Sequence, residues 1–175
     1  MNANSILNDG EINANPLFFT SDATNLSGTG SLRSVQLINN ARVNLGSNHT
    51  ITETLDFIGG GRIVTGANTL TIAENATILG NTDQNYVQGN LQRYIAASLP
   101  VVFPVGDAAN AATVTITPSV DSPGFVTVST TGTEHPEFAT NGLDQNLSVN
   151  RFWTISNQSL IFSVADVDFT WNNSD

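Results

Sequence analysis

Asp166 and Asp168 stand two residues apart in a stretch that alternates apolar and polar side chains. On a strand they would share a face at about 7 Å. Two carboxyl groups at such a separation are what glycoside hydrolysis uses. Their parity is the polar one, opposite Val167, Phe169 and Trp171, so a solvated face is the expected placement. Glu134, His135 and Glu137 form a second cluster of metal-ligand types. A single imidazole beside Pro136 reads better as loop shaping. Asp107 has the donor type for Ca²⁺, but no ligand spacing accompanies it. His49 follows an expected turn at Asn48 and has no evident partner. A Gly-x-Ser-x-Gly elbow is absent, and so is any Gly-Lys-Ser/Thr phosphate loop. The chain has no cysteine, which removes thiolate chemistry and disulfides. These residues yield no catalytic, cofactor-binding or metal-binding set, and the expectation is a protein that is not an enzyme.

What would have to position any such residues is a set of short strands. The chain has 175 residues and a net charge of −10, with fifteen acids, five basic residues and no lysine. Such a surface disfavours nucleic acid and anionic membranes as partners. No apolar run reaches the ~18 residues of a membrane span, so no membrane insertion is expected. Asn, Thr, Ser and Gly supply most of the polarity, a composition common in extracellular β-proteins. Met1–Ser5 carries neither a basic region nor an apolar stretch, so it is not a signal peptide. Export would then make this chain a piece of a longer polypeptide.

Residues 1–85 repeat with a period near twenty, as Ile38–Asn48 and Ile58–Asn68 illustrate. This predicts a parallel β-solenoid with coils of about twenty residues. Rows of twenty place Phe18, Ile38, Ile58 and Ile78 in one apolar column, expected inside. Val43 and Ile63 share another with Ala3 and Ala23. Leu17, Leu37, Phe57 and Thr77 form a third. Asn8, Gly28, Asn48 and Asn68 fit a turn. Arg33 and Glu53 fall on neighbouring coils as a favourable, exposed pair. Arg42 and Arg62 are like charges in one column. Thr50, Thr52 and Thr54 alternate as an ice-binding face would, but their twenty-offset partners are Leu70, Ile72 and Glu74.

The period fails near residues 81–85, and prolines become frequent. Residues 86–175 are expected to form an antiparallel β-sandwich, because short alternating strands recur about every ten residues. Trp153, Phe169 and Trp171 are its expected core aromatics, with Arg151 at the core's edge. The whole chain therefore reads as all-β, a solenoid followed by a sandwich.

Tyr86–Ile95, Phe103-Pro104-Val105-Gly106-Asp107-Ala108-Ala109-Asn110, His135-Pro136 and Ser148–Ile155 occur in that order. Together they resemble a module of very long, adhesin-like surface and secreted proteins of Bacteroidetes, cargo of the type IX secretion system. The resemblance covers about residues 80–175, and Asn150-Arg151-Phe152-Trp153-Thr154 is its most specific part. Ala111-Ala112 departs from the aromatic and proline usual there. The resemblance implies a non-enzymatic structural or adhesive role at the cell surface, with no catalytic residues and no cofactor. The other reading is a carbohydrate-binding or polysaccharide-degrading β-helix protein. It would need a strip of clustered aromatics and carboxylates, which no single column offers. In relatives the module runs on past this chain's end, so the sandwich is expected to lack an edge after Trp171. Nothing in Met1–Gly10 resembles a cap for the first coil. The expected partners are neighbouring modules or other copies, paired through open β-edges, with a surface glycan or protein as ligand.

Overall fold

The computed structural model describes residues 5–138 and 148–172. Ala3 and residues 173–175 lie outside them. The described chain is all-β, with a parallel solenoid of about five turns and a separate antiparallel sheet. The first coil holds β1 (Ser5–Leu7), β2 (Glu11–Ile12) and β3 (Leu17–Phe19). The second holds β4 (Thr24–Ser27) and β5 (Ser31–Leu37), and the third β6 (Ala41–Leu45) and β7 (His49–Phe57). The fourth holds β8 (Gly61–Ile72) and β9 (Thr77–Leu79), and β10 (Asn85–Ile95) forms the fifth.

Three faces result. On the first, β1, β4, β6, β8 and β10 stack in parallel. On the second, β2 meets the start of β5, which meets the start of β7, and the ends of β8 and β10 follow. On the third, β3, the ends of β5 and β7, and β9 stack. Long strands turn the corners through register shifts, between Leu32 and Ser34 and between Gln88 and Asn90. Gly89 sits at one such corner with φ +113°, and an added Cβ would meet Thr65 Oγ1 at 2.3 Å. Only glycine fits both demands. The freed Thr65 hydroxyl accepts the Asn90 amide at 2.8 Å. The asparagine turn column also bonds between coils: Asn48 Oδ1 accepts the Thr69 amide, and Asn68 Nδ2 donates to the Leu45 carbonyl, each at 2.9 Å.

The expected interior column is corrected here. Phe18 and Ile58 are each 55% exposed. Ile38 is half-buried. The inward rows of the third face are Leu17–Val35–Leu55–Ile78, with Leu17 and Ile78 partly buried, and Phe19–Leu37–Phe57. Phe18 lies in the outward row with Gln36, Asp56 and Leu79. Leu17 and Val35 are eighteen residues apart, Val35 and Leu55 twenty, and Leu55 and Ile78 twenty-three. Side chains alternate faces with period two, and offsets of eighteen and twenty are both even, so Phe18, Ile38 and Ile58 share the outward parity, while the odd offset of twenty-three brings Ile78 inward. Where the offset is twenty, the columns hold: Val43 and Ile63 are in register and buried. Arg33 Nε lies 2.7 Å from Glu53 Oε1.

The coil stack does not stop at residue 85. β10 pairs in parallel with β8 from Asn85–Gly61 to Arg93–Ile72. After β11 (Val101–Phe103), β12 (Val105–Gly106) adds to β10 in parallel. The direction then reverses. After β13 (Val114–Ser122), β14 (Gly124–Thr131) pairs antiparallel with the second half of β10, and β15 (Phe152–Gln158) with β14. The separate sheet has the order β11–β13–β16, where β16 is Ile161–Phe169. Phe103, Val114, Ile116, Val126, Val128 and Leu160 are buried in the same apolar cluster as the solenoid interior. Trp153 packs partly buried against that cluster and touches Phe169 at 4.8 Å between ring centroids. Phe169 and Trp171 are not interior: they are 38% and 54% exposed. β16 is the edge of its sheet among the described residues, and along it only Ala165 is partly buried.

Candidate functional site: the junction around Asp107 and Arg151

Each chemistry-bearing residue now has a place. Asp166 and Asp168 lie on β16 opposite Thr117 and Thr115, and both are exposed. His135 packs edge-on against Phe152 at 5.0 Å, and its Nδ1 accepts the Glu137 amide at 3.2 Å. Glu134 accepts the Ser148 hydroxyl. Among the described residues, no group of three or more His, Asp or Glu could hold a metal ion. His49 does have partners: it is buried, with Nδ1 3.1 Å from the Gly30 carbonyl and Nε2 3.4 Å from Ser47 Oγ.

A polar cluster joins two stretches that lie far apart in sequence. Asp107 follows β12, and Arg151 immediately precedes β15. Arg151 Nη2 lies 2.9 Å from Asp107 Oδ2, and the guanidinium is fully buried. The other carboxylate oxygen accepts the amides of Ala109 at 2.7 Å and Asn110 at 2.8 Å. Both oxygens are thus engaged, and a fixed guanidinium occupies the side a cation would need. The Ca²⁺ reading of Asp107 does not fit this geometry. Arg151 also donates to Thr130 Oγ1 at 3.2 Å, which in turn donates to the Phe152 carbonyl at 3.1 Å. Trp153 Nε1 donates to the Ala112 carbonyl at 3.1 Å. Ala112 is buried.

On the solenoid side, Tyr86 is fully buried and donates its hydroxyl to the Asp107 carbonyl at 2.9 Å. Arg62 lies over the Tyr86 ring, its Cζ 4.4 Å from the centroid, a cation–π contact. Arg62 also donates to the Ala108 carbonyl at 2.8 Å. These contacts hold one of the two like-charged arginines of the 42/62 column. Arg42 and Arg62 line a shallow groove of about 230 Å³ with Asp22, Asn40 and Gln84. The signal that was missed is that the stretches around Asp107 and Arg151 carry opposite charges.

Burial pushes the Tyr86 phenol above its ordinary value, partly offset by the Arg62 cation. A raised pKa stabilises the folded state fully below the unfolded value of about 10 and less as pH rises beyond it. Melting temperature should therefore fall above about pH 10, and Tyr86→Phe should flatten that fall; an unchanged alkaline slope would exclude Tyr86 as its source. Comparison of the chain with protein-family models, curated proteins and solved structures gave no match.

Proposed function

We propose that this chain is a non-enzymatic structural and adhesive module of an extracellular or cell-surface protein, of the type IX secretion cargo kind. In this reading the antiparallel strands are the β-sandwich part of that module. The observation that supports it is the junction. Arg151, in the most specific stretch of the resemblance, and Asp107, in another of its stretches, hold each other, and Trp153 bonds to Ala112. Residues tied in this way fix an architecture and leave no group free for catalysis there. Exposed Asp166 and Asp168 face solvent on an edge strand. A broad polysaccharide panel with product detection should show no turnover; turnover lost in Asp166→Asn or Asp168→Asn would overturn the non-enzymatic reading.

Neighbouring modules or other copies pair through the sheet edges. β16 presents Ile161 at 60% and Val164 at 62% exposure on an edge without a second strand partner among the described residues. Such an edge accepts strands. Sedimentation equilibrium from micromolar to millimolar concentration should show self-association that Val164→Lys reduces. A monomer throughout that range would count against it.

A further inference from the structure

One outward row starts at Glu11 on β2, which registers with Ser31, crosses the second face and continues onto the antiparallel strands. Ser31 registers with Thr50, Thr50 with Thr71, Thr71 with Gln92, Gln92 with Thr127 and Thr127 with Ser156. A second outward row, two residues along each strand, holds Thr69, Asn90, Ser129 and Thr154. On the other flank Tyr94 pairs with Phe125, rings 5.0 Å apart and edge-on, both half-exposed. The side chains are tied together: Thr71 donates to Gln92 Oε1 at 2.9 Å, and Gln92 Nε2 donates to Thr127 Oγ1 at 3.2 Å and to Gln158 Oε1. They line a shallow groove of about 340 Å³.

An outward sheet face is ordinarily only solvated. This one differs from the rest of the surface in three respects. From β5 to β15 its rows carry no charge in a chain of net charge −10, with Glu11 the one acid in register at the far end on β2, whereas other outward rows hold Arg33 with Glu53 and Arg42 with Arg62. It is uninterrupted where the solenoid passes into the antiparallel strands. It is flanked by a half-exposed aromatic pair, and an aromatic ring face can stack on sugar C–H groups. Hydroxyls and amides donate and accept at once, which suits a ligand of hydroxyl groups better than an ion. Strands repeat every ~4.8 Å, on the scale of one pyranose ring in an extended chain.

We propose that this face binds a neutral polysaccharide lying across β8, β10, β14 and β15, with Gln92 at the centre and Tyr94–Phe125 as the stacking flank. Ice is the competing ligand for a threonine-bearing sheet. The mixed Asn, Gln and Ser content and the aromatic flank favour sugar. The inference goes beyond the modular reading and does not depend on it; failed glycan binding leaves the sedimentation experiment unaffected.

The test titrates a panel of neutral oligosaccharides (β-1,4-linked hexamers of glucose, xylose and mannose) into the ¹⁵N-labelled full chain. Oligogalacturonate is the charged control, and thermal hysteresis is measured in parallel. A neutral hexamer should shift the amides of Thr71, Gln92, Tyr94 and Thr127. Gln92→Ala and Tyr94→Ala should each weaken its binding roughly tenfold, and Arg42→Gln should leave it unchanged. Thr127→Val, nearly isosteric, should weaken binding without lowering the melting temperature, which separates loss of ligand contact from loss of fold. The proposal is overturned by no neutral hexamer shifting these amides, by tighter binding of oligogalacturonate, by binding indifferent to the Gln92, Tyr94 and Thr127 variants, or by thermal hysteresis without glycan binding.

Discussion

Replacing Arg151 by Met should lower the unfolding free energy by about 3–5 kcal/mol. The guanidinium is fully buried against Asp107, which is itself only about one-fifth exposed. Removing the cation leaves that carboxylate partly desolvated with no countercharge. It also removes the Arg151 bond to Thr130 Oγ1. At this chain length the melting temperature should fall by about 10 °C. Calorimetry of Arg151→Met, Asp107→Asn and the double variant tests the origin of the loss. The double variant should lose less than the sum of the two single losses, because the first substitution already breaks the shared interaction. A single-variant loss below about 1 kcal/mol is what an exposed pair would give, and it would remove the junction as the element that joins the two stretches.

The second large effect separates the two parities of the third face. Leu55 is fully buried between Val35 and Ile78. Leu55→Ala deletes buried methyl groups and leaves a cavity, at about 2–5 kcal/mol. Ile58→Ala and Phe18→Ala remove side chains that are more than half exposed, and should stay within about 0.5 kcal/mol. Chemical denaturation at constant m-value gives all three numbers. Losses at Ile58 and Phe18 as large as at Leu55 would restore the column of Phe18, Ile38, Ile58 and Ile78 to the interior.

That pair of expectations also marks how far the sequence could be read. The parallel solenoid was legible because apolar residues stack at a nearly constant offset. Arg33–Glu53 and Val43–Ile63 came out correctly since the local offset there is twenty. It fails where corners absorb extra or missing residues. Thr50 looked unsupported because Leu70 follows it by twenty, yet its partner is Thr71, one residue further. A slip of one exchanges an outward threonine for an inward leucine. The same slip hid the polar rows of the second face. Their continuation through Thr127 and Ser156 was hidden further, since an antiparallel strand has no fixed offset from its neighbour. Asp107 and Arg151 lie far apart in sequence and carry no periodic relation, so only folding pairs them. Near residue 85 the local offset lengthens to twenty-four, with Gly61 opposite Asn85, and the twenty-residue rows lose their register there.

The central claim is that one continuous sheet carries the solenoid into the antiparallel strands, with β10 as the shared strand. Leu91 is its test residue, paired in parallel with Leu70 on one side and antiparallel with Val128 on the other. Interstrand backbone NOEs from Leu91 in the labelled protein measure both neighbours at once. The account predicts contacts to the Leu70 strand in the parallel pattern and to the Val128 strand in the antiparallel pattern. Contacts on one side alone, or an antiparallel pattern toward Leu70, would contradict it.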